Sequence, residues 1–112
     1  MATITDEFMM GMLSKTKIYS LVILKPGPNI NHPEINTLIW EHARRNFALR
    51  EEGILSIVCP VSDETEIKAI GIFNADEEKT RQIMEEDICI KEGVFVFEIH
   101  PVRSFPGDAL PA

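Results

Sequence analysis

The sequence predicts an α+β domain in which a four-stranded antiparallel sheet and two helices follow the order β-α-β-β-α-β. Three observations support this fold class. Four short segments have the aliphatic composition of strands, two longer segments have helical periodicity, and Pro, Gly or Asp residues separate them. The chain has 112 residues, which is the size of one domain.

The first strand is predicted at residues 17–25, a dense aliphatic run that Pro26 ends because proline lacks the N–H that a ladder requires. Since both alternating sets of its side chains are apolar, we expect a central strand covered on both faces. The first helix is predicted to start near His32–Glu34, with Pro33 at its first position, and to end near Glu52, before Gly53. The remaining elements are predicted in chain order as a second strand at 54–61, a third at 66–73, a second helix from about Asp76 to Asp87 and a fourth strand at 94–101.

This order is the split βαβ, or ferredoxin-like, motif, and its two helices can cover only one face of the sheet. The second and fourth predicted strands, however, carry apolar residues on both sides. In the fourth strand Phe95, Phe97 and Ile99 alternate with Val94, Val96, Glu98 and His100; in the second, Ile54, Ser56 and Val58 alternate with Leu55, Ile57 and Cys59. An apolar face without a helix implies a partner surface, and a homodimer that packs sheet on sheet is the simplest solution.

Three segments are expected along the chain. Residues 1–16 form an N-terminal arm that is either loose or a short helix, residues 17–102 form the ferredoxin-like domain, and residues 103–112 form a tail containing Pro and Gly. Neither an internal repeat nor a low-complexity segment is found.

Composition excludes several classes of function. The net charge of −7 argues against binding to nucleic acid or to anionic lipid. No apolar run approaches the roughly 20 residues of a membrane span, and acidic residues precede the N-terminal methionines, so neither a membrane protein nor a cleaved signal peptide is expected. Two cysteines without metal-like spacing fit a reduced cytoplasmic protein. Since no phosphate-binding, dinucleotide or zinc motif occurs, no cofactor and no metal are predicted.

His42 is the first candidate site residue. It lies with Asn46 near the centre of the inward stripe of the first helix, and an imidazole placed on an apolar stripe needs a polar partner. A histidine satisfied within the core and an acid–base residue are both compatible with this position.

Asp87 is the second candidate. It continues the inward stripe of the second helix, formed by Thr80, Ile83 and Met84, and a carboxylate at a helix C-terminus faces the unfavourable end of the dipole. This position suggests either a local partner with a role for Asp87 or a simple turn residue at a helix end. Glu98 and His100, two residues apart in the fourth strand, could line a cavity or lie at a solvated sheet edge.

Several segments together resemble the YCII-related family of the dimeric α/β-barrel superfamily. The matching segments are residues 40–55, 59–61, 72–76, 86–95 and 98–101. Members carry a histidine on the first helix, here His42; a glycine before the second strand, here Gly53; and an Asp-Pro…Lys-x-Gly segment at the end of the second helix. The chain differs from the family pattern at Ile88, where the family has proline, and at Cys59, where it has glycine.

The resemblance implies a sheet-to-sheet homodimer with a pocket between sheet and helices in each subunit, and an active-site pair that corresponds to His42 and Asp87. Asp87 would then orient His42, and His42 would act as general acid–base. We therefore predict a small enzyme that isomerises or hydrolyses a small molecule. The alternative is a noncatalytic ligand-binding or accessory dimeric module using the same pocket. A metal or heme site is a weaker hypothesis, since no two of the three histidines lie at i, i+3 or i+4.

Overall fold

The computed structural model describes residues 1–112 and has the predicted α+β, ferredoxin-like arrangement. The elements in chain order are α1 (Asp6–Leu13), β1 (Lys17–Pro26), α2 (Ile35–Glu51), β2 (Leu55–Pro60), β3 (Ala69–Phe73), α3 (Glu77–Glu85), α4 (Ile88–Lys91) and β4 (Phe95–Ser104). The strands form one antiparallel sheet in the order β2-β3-β1-β4. The fold class predicted from the sequence is therefore confirmed.

The sheet and the helices form two layers that share one core. On β1 the buried side chains alternate, with Ser20, Val22 and Leu24 facing the helices. The core cluster joins Val22 and Leu24 to side chains of α2, α3 and α4, among them Leu49, Ile83 and Cys89. All three of these helices therefore cover the same face of the sheet.

The opposite face of the sheet, here called the outer face, carries no helix. Directly opposed residues in the antiparallel ladders share a face, and the register pairs Leu21 with Ile72 and with His100, and Ile23 with Ile70 and with Glu98. The outer face is thus apolar at its centre and carries the polar residues Glu98 and His100 on the edge strand β4. Ile57 and Cys59 of β2 extend the apolar part.

The first predicted helix differs from the prediction at its start. Helix α2 begins at Ile35, with Glu34 as its N-cap, so Pro33 lies in the preceding turn and not at the first helical position. Its C-terminus agrees with the prediction: Glu52 is the C-cap and Gly53 takes φ 75°, a left-handed conformation that glycine adopts without a Cβ penalty.

The second predicted helix is two helices. Helix α3 ends at Glu85, and the short helix α4 begins after Asp87, whose Oδ1 accepts a hydrogen bond from the Cys89 N–H at 2.8 Å. Asp87 is therefore an N-cap and not the C-terminal residue of a helix, so the expected dipole penalty does not apply to it.

The strands differ in length and in one register. Strand β3 begins at Ala69, three residues after its predicted start, and β4 continues to Ser104, into the predicted tail. A bulge between Leu55 and Ile57 shifts the register of β2, so Leu55 pairs with Phe73 and Val58 with Gly71. Leu55 and Val58 consequently share the helix-covered face, and the strict alternation predicted for the second strand is wrong.

The N-terminal helix α1 stands apart from the two layers. Thr5 caps it by accepting a hydrogen bond from the Phe8 N–H, and none of its residues is buried. Arg103 ties the end of this segment to β4 by donating hydrogen bonds to Thr16 Oγ1 and to the Leu13 carbonyl. No helix of the structure combines the length and the hydrophobicity needed to cross a lipid bilayer.

Candidate functional site

A cavity of about 480 Å³ lies between α2 and the helix-covered face of the sheet. Its lining is mostly apolar and comes from α2, all four strands, Lys68 before β3, and α3; representative members are Val22, Ile39, Phe47, Val58, Phe73 and Phe95. The bulge in β2 contributes to it directly, because it turns Leu55 and Val58 toward the helix layer together. A concave, largely apolar site of this volume with few polar groups is the common form of a small-molecule site.

His42 is placed at this cavity by α2. The imidazole is 11% exposed, lines the cavity, and meets the ring of Phe95 edge-on with 5.8 Å between centroids. Its Nδ1 lies 2.7 Å from Asp87 Oδ2, and its Nε2 lies 3.3 Å from the amide nitrogen of Asn46, one turn further along α2. With Nδ1 turned to the buried carboxylate, Nε2 is the ring nitrogen on the cavity side.

Asp87 lies behind the histidine and is 1% exposed. Burial alone would raise the pKa of Asp87, but the hydrogen bond and charge of His42, the Cys89 backbone N–H and the charge of Arg45 outweigh it, so its pKa lies below the usual value. The carboxylate is thus ionised at neutral pH and accepts a hydrogen bond from His42 Nδ1–H. In the neutral imidazole this tautomer leaves the lone pair on Nε2, to which the Asn46 amide donates.

Arg45 extends this pair to a third residue. Its Nη1 lies 3.7 Å from Asp87 Oδ2, and its Nη2 lies 3.6 Å from Glu86 Oε2. Arg45 was not among the candidate site residues predicted from the sequence. The signal that could have connected it to the site is its spacing of three residues from His42, which places both on neighbouring positions of one helix surface.

Cys89 is the third titratable group at this point. The side-chain ligand atoms of His42, Asp87 and Cys89 lie within 4.8 Å of one another, the spacing of a metal site. A thiol must be deprotonated to bind a metal well, and burial followed by the charge of Asp87 raises the pKa of Cys89 to about 12. The thiol instead donates to the Leu38 carbonyl at 3.4 Å. The donor set therefore favours the hydrogen-bonded pair over a bound cation.

The other candidates from the sequence lie outside the cavity. Glu98 and His100 face the outer side, where Glu98 pairs with Lys25 at 2.8 Å and with His100 at 3.3 Å. Of the two interpretations given for Glu98 and His100, the solvated position is the one observed. Two charged residues of the cavity, Arg50 and Lys68, were not identified from the sequence. Arg50 follows Asn46 by four residues, as Asn46 follows His42, and Lys68 lies on the β2–β3 connection.

Comparison with known proteins shows the fold. The chain is similar to the solved structure of 5-chloro-2-hydroxyhydroquinone dehydrochlorinase (TftG) from Burkholderia phenoliruptrix AC1100, in complex with 2,5-dihydroxybenzoquinone. The match has a TM-score of 0.50 at 16% identity and covers 73% of this chain and 90% of that chain. At this identity the similarity shows a shared fold and does not show a shared function. No protein-family model and no curated protein matches the chain, so membership of the YCII-related family stays a prediction.

Proposed function

We propose that the protein is a small enzyme that catalyses proton transfer on a small molecule bound in the cavity, in an isomerisation or a hydrolysis. The observation that carries this proposal is the orientation of His42: Nδ1 is engaged by Asp87 at 2.7 Å, while the ring lines an apolar cavity. In an isomerisation, His42 Nε2 would take a proton from one position of the ligand and return it at a second position. In a hydrolysis, it would take a proton from the attacking water and give it to the leaving group. Asp87 would stabilise the imidazolium formed in between.

The surroundings of the pair support this role. The cavity walls are apolar, and the low dielectric constant of such surroundings strengthens the attraction between the imidazolium and Asp87. Asn46 is the hydrogen-bond partner of Nε2, at 3.3 Å, and a ligand atom could replace it at the lone pair. The similar solved structure, which shares the fold, is described as a dehydrochlorinase acting on a substituted hydroquinone. Removal of HCl from a ring also requires a proton transfer, and a ring of that size fits the cavity volume.

Proton exchange into heavy water tests the isomerisation, and the appearance of a ring-opened acid in the same NMR spectra tests the hydrolysis. We expect the protein to exchange a carbon-bound proton of at least one member of a panel of unsaturated lactones and hydroxyquinols, followed by NMR. The variant His42→Gln is expected to lose this exchange, and His32→Asn, which changes a histidine outside the cavity, is expected to keep it. An exchange rate unchanged in His42→Gln would reject His42 as the acid–base.

A noncatalytic ligand-binding module is the second candidate, and one observation favours it. Both ring nitrogens of His42 have hydrogen-bond partners, Asp87 and Asn46, as expected of a histidine that only stabilises the fold. In this case panel members would bind in the cavity, and none would exchange protons or change chemically.

We also infer that the chain forms a homodimer through the outer face and belongs to the YCII-related family. Only 16 of 112 residues are buried in the isolated chain, a small core for this length, and the outer face brings together apolar side chains of β1, β2 and β3 without covering them. Sheet-on-sheet packing would complete a barrel, and the cavities would lie on the two helix-covered sides.

A further inference from the structure

The polar groups of the cavity are few, and their charges have one sign. Four of its side chains are charged or hydrogen-bonding: His42, Asn46, Arg50 and Lys68. No carboxylate is among the lining residues, although the whole chain contains 18 Asp and Glu against 11 Lys and Arg. A cavity with two cations and no anion in a chain of net charge −7 is the reverse of what the composition alone would produce.

The two cations are available to a ligand. Lys68 forms no ion pair within 4.0 Å. Its backbone is fixed by two hydrogen bonds: its N–H donates to the Leu24 carbonyl, and its carbonyl accepts from the Val61 N–H. Arg50 has one neighbour, Glu51, at 3.7 Å, and both of these side chains are more than half exposed. Because so exposed an ion pair contributes little to stability, the Arg50 guanidinium is free to bind another anion.

The polar residues of α2 are arranged in a line. His42, Asn46 and Arg50 are each four residues apart, so they follow one side of the helix from the buried interior to the mouth of the cavity. The backbone rise between His42 and Arg50 is about 12 Å, and the long arginine side chain shortens the gap between the two functional groups. A molecule of one or two rings can therefore reach from His42 Nε2 to the cationic mouth.

We propose that the cavity selects a compact, mainly apolar molecule with one anionic group, a carboxylate or a phenolate, which Arg50 and Lys68 bind at the mouth. This inference names the substrate class for the proposed enzyme and rests on that function for the role of His42. The ring system contacts the apolar walls, and the anion fixes which of its atoms lies at His42 Nε2. Arg50 and Lys68 are specificity residues in this arrangement, and they take no part in the proton transfer.

A matched pair of probes tests the charge preference: 2-naphthoate, and the neutral 2-naphthamide of nearly the same shape, titrated by calorimetry or NMR. We expect the acid to bind about tenfold more tightly than the amide, an advantage that falls as salt is added. The variant Arg50→Gln,Lys68→Gln is expected to bind both probes equally. Arg44→Gln, which removes an exposed charge of α2 outside the cavity, is expected to retain the preference.

The outcomes separate this inference from the proposed enzyme function. His42→Gln should lose proton exchange and keep the preference for the acid, because the anion site lies at the other end of the cavity. The inference is overturned if the wild-type protein fails to bind naphthoate at millimolar concentration, if it binds acid and amide equally, or if the double variant keeps the preference. A retained preference without exchange on any substrate rejects only the catalytic role.

Discussion

The imidazole of His42 and the carboxylate of Asp87 are joined by a 2.7 Å hydrogen bond across 45 residues of sequence. Asp87 is held on its other oxygen by the Cys89 N–H at 2.8 Å and is approached by Arg45. Because the carboxylate is fixed by α4 as well as by α2, the imidazole is held in one orientation before any ligand binds. This is the preorganisation that an acid–base residue requires.

Asp87→Asn is expected to lower the free energy of unfolding by about 1–3 kcal/mol, because a buried hydrogen-bonded charge is replaced by a neutral amide beside Arg45 and His42. It should also change which imidazole nitrogen carries the proton. Chemical denaturation gives the first quantity, and nitrogen chemical shifts of the His42 ring give the second. Glu86→Gln is the matched control, since Glu86 is adjacent and exposed. Equal stability and equal shifts in the two variants would contradict the assignment of Asp87 as the orienting group.

The same carboxylate predicts a dependence of stability on pH. The pKa of Asp87 is lower in the folded protein than in the unfolded chain, where it lies near 4. Its contribution is therefore fully present above about pH 4 and is lost as the pH falls through the lower, folded-state value. We expect the difference in free energy of unfolding between wild type and Asp87→Asn to shrink as the pH falls below about 4. A difference that grows toward low pH would have the wrong sign for this mechanism.

The order of the strands and helices could be predicted because each element has a periodic apolar pattern that survives in the fold. The division of the second helix could not. The helical spacing of buried residues continues across the break between α3 and α4, through Thr80, Ile83, Met84 and Asp87. The hydrophobic periodicity therefore gives no indication that the helix ends. The break is set by the Asp87 side chain, which accepts a hydrogen bond from the Cys89 N–H and so caps the N-terminus of α4.

The pairing of His42 with Asp87 was predicted because both lie on inward stripes and the resemblance connects them. The two cationic residues of the cavity were not predicted. Lys68 lies before β3, and its position there is set by backbone hydrogen bonds to Leu24 and Val61, which the local sequence does not reveal. A bulge is fixed by the strands with which it pairs, so the alternation of the β2 sequence alone gives no indication of it. The contribution of Val58 to the cavity follows from the same shift.

Cys89 is expected to be chemically inert in the native protein. Its side chain is fully buried and its pKa is raised to about 12, so the reactive thiolate is scarce at neutral pH. In the variant Cys59→Ser, a disulfide reagent at pH 8 should label Cys89 only as fast as the protein opens, and within seconds in denaturant. The reciprocal variant Cys89→Ser leaves the half-buried Cys59, which should react faster in the native state. Rapid native labelling of Cys89 would show that this end of the site is open to solvent.

The outer face predicts a specific disruption of the proposed dimer. Ile72 lies near its centre, opposite Leu21 on β1 and Ile57 on β2, and all three side chains are only half-buried in the isolated chain. A glutamate at this position would be buried without a partner by sheet-on-sheet packing, at a cost of several kcal/mol. We expect the wild-type protein to sediment as a dimer at micromolar concentration and Ile72→Glu to dissociate at concentrations at least about 100-fold higher.

A charge added elsewhere provides the control for this experiment. Thr37→Glu places the same side chain on an exposed position of α2, in the helix layer, and should leave the sedimentation coefficient unchanged. Circular dichroism should show that both variants keep the fold, since neither substitution changes the helix-covered core. Association of Ile72→Glu as tight as that of the wild-type protein would mean that the outer face is not the dimer interface. A partner for the apolar residues of β1, β2 and β3 would then have to be a different molecule.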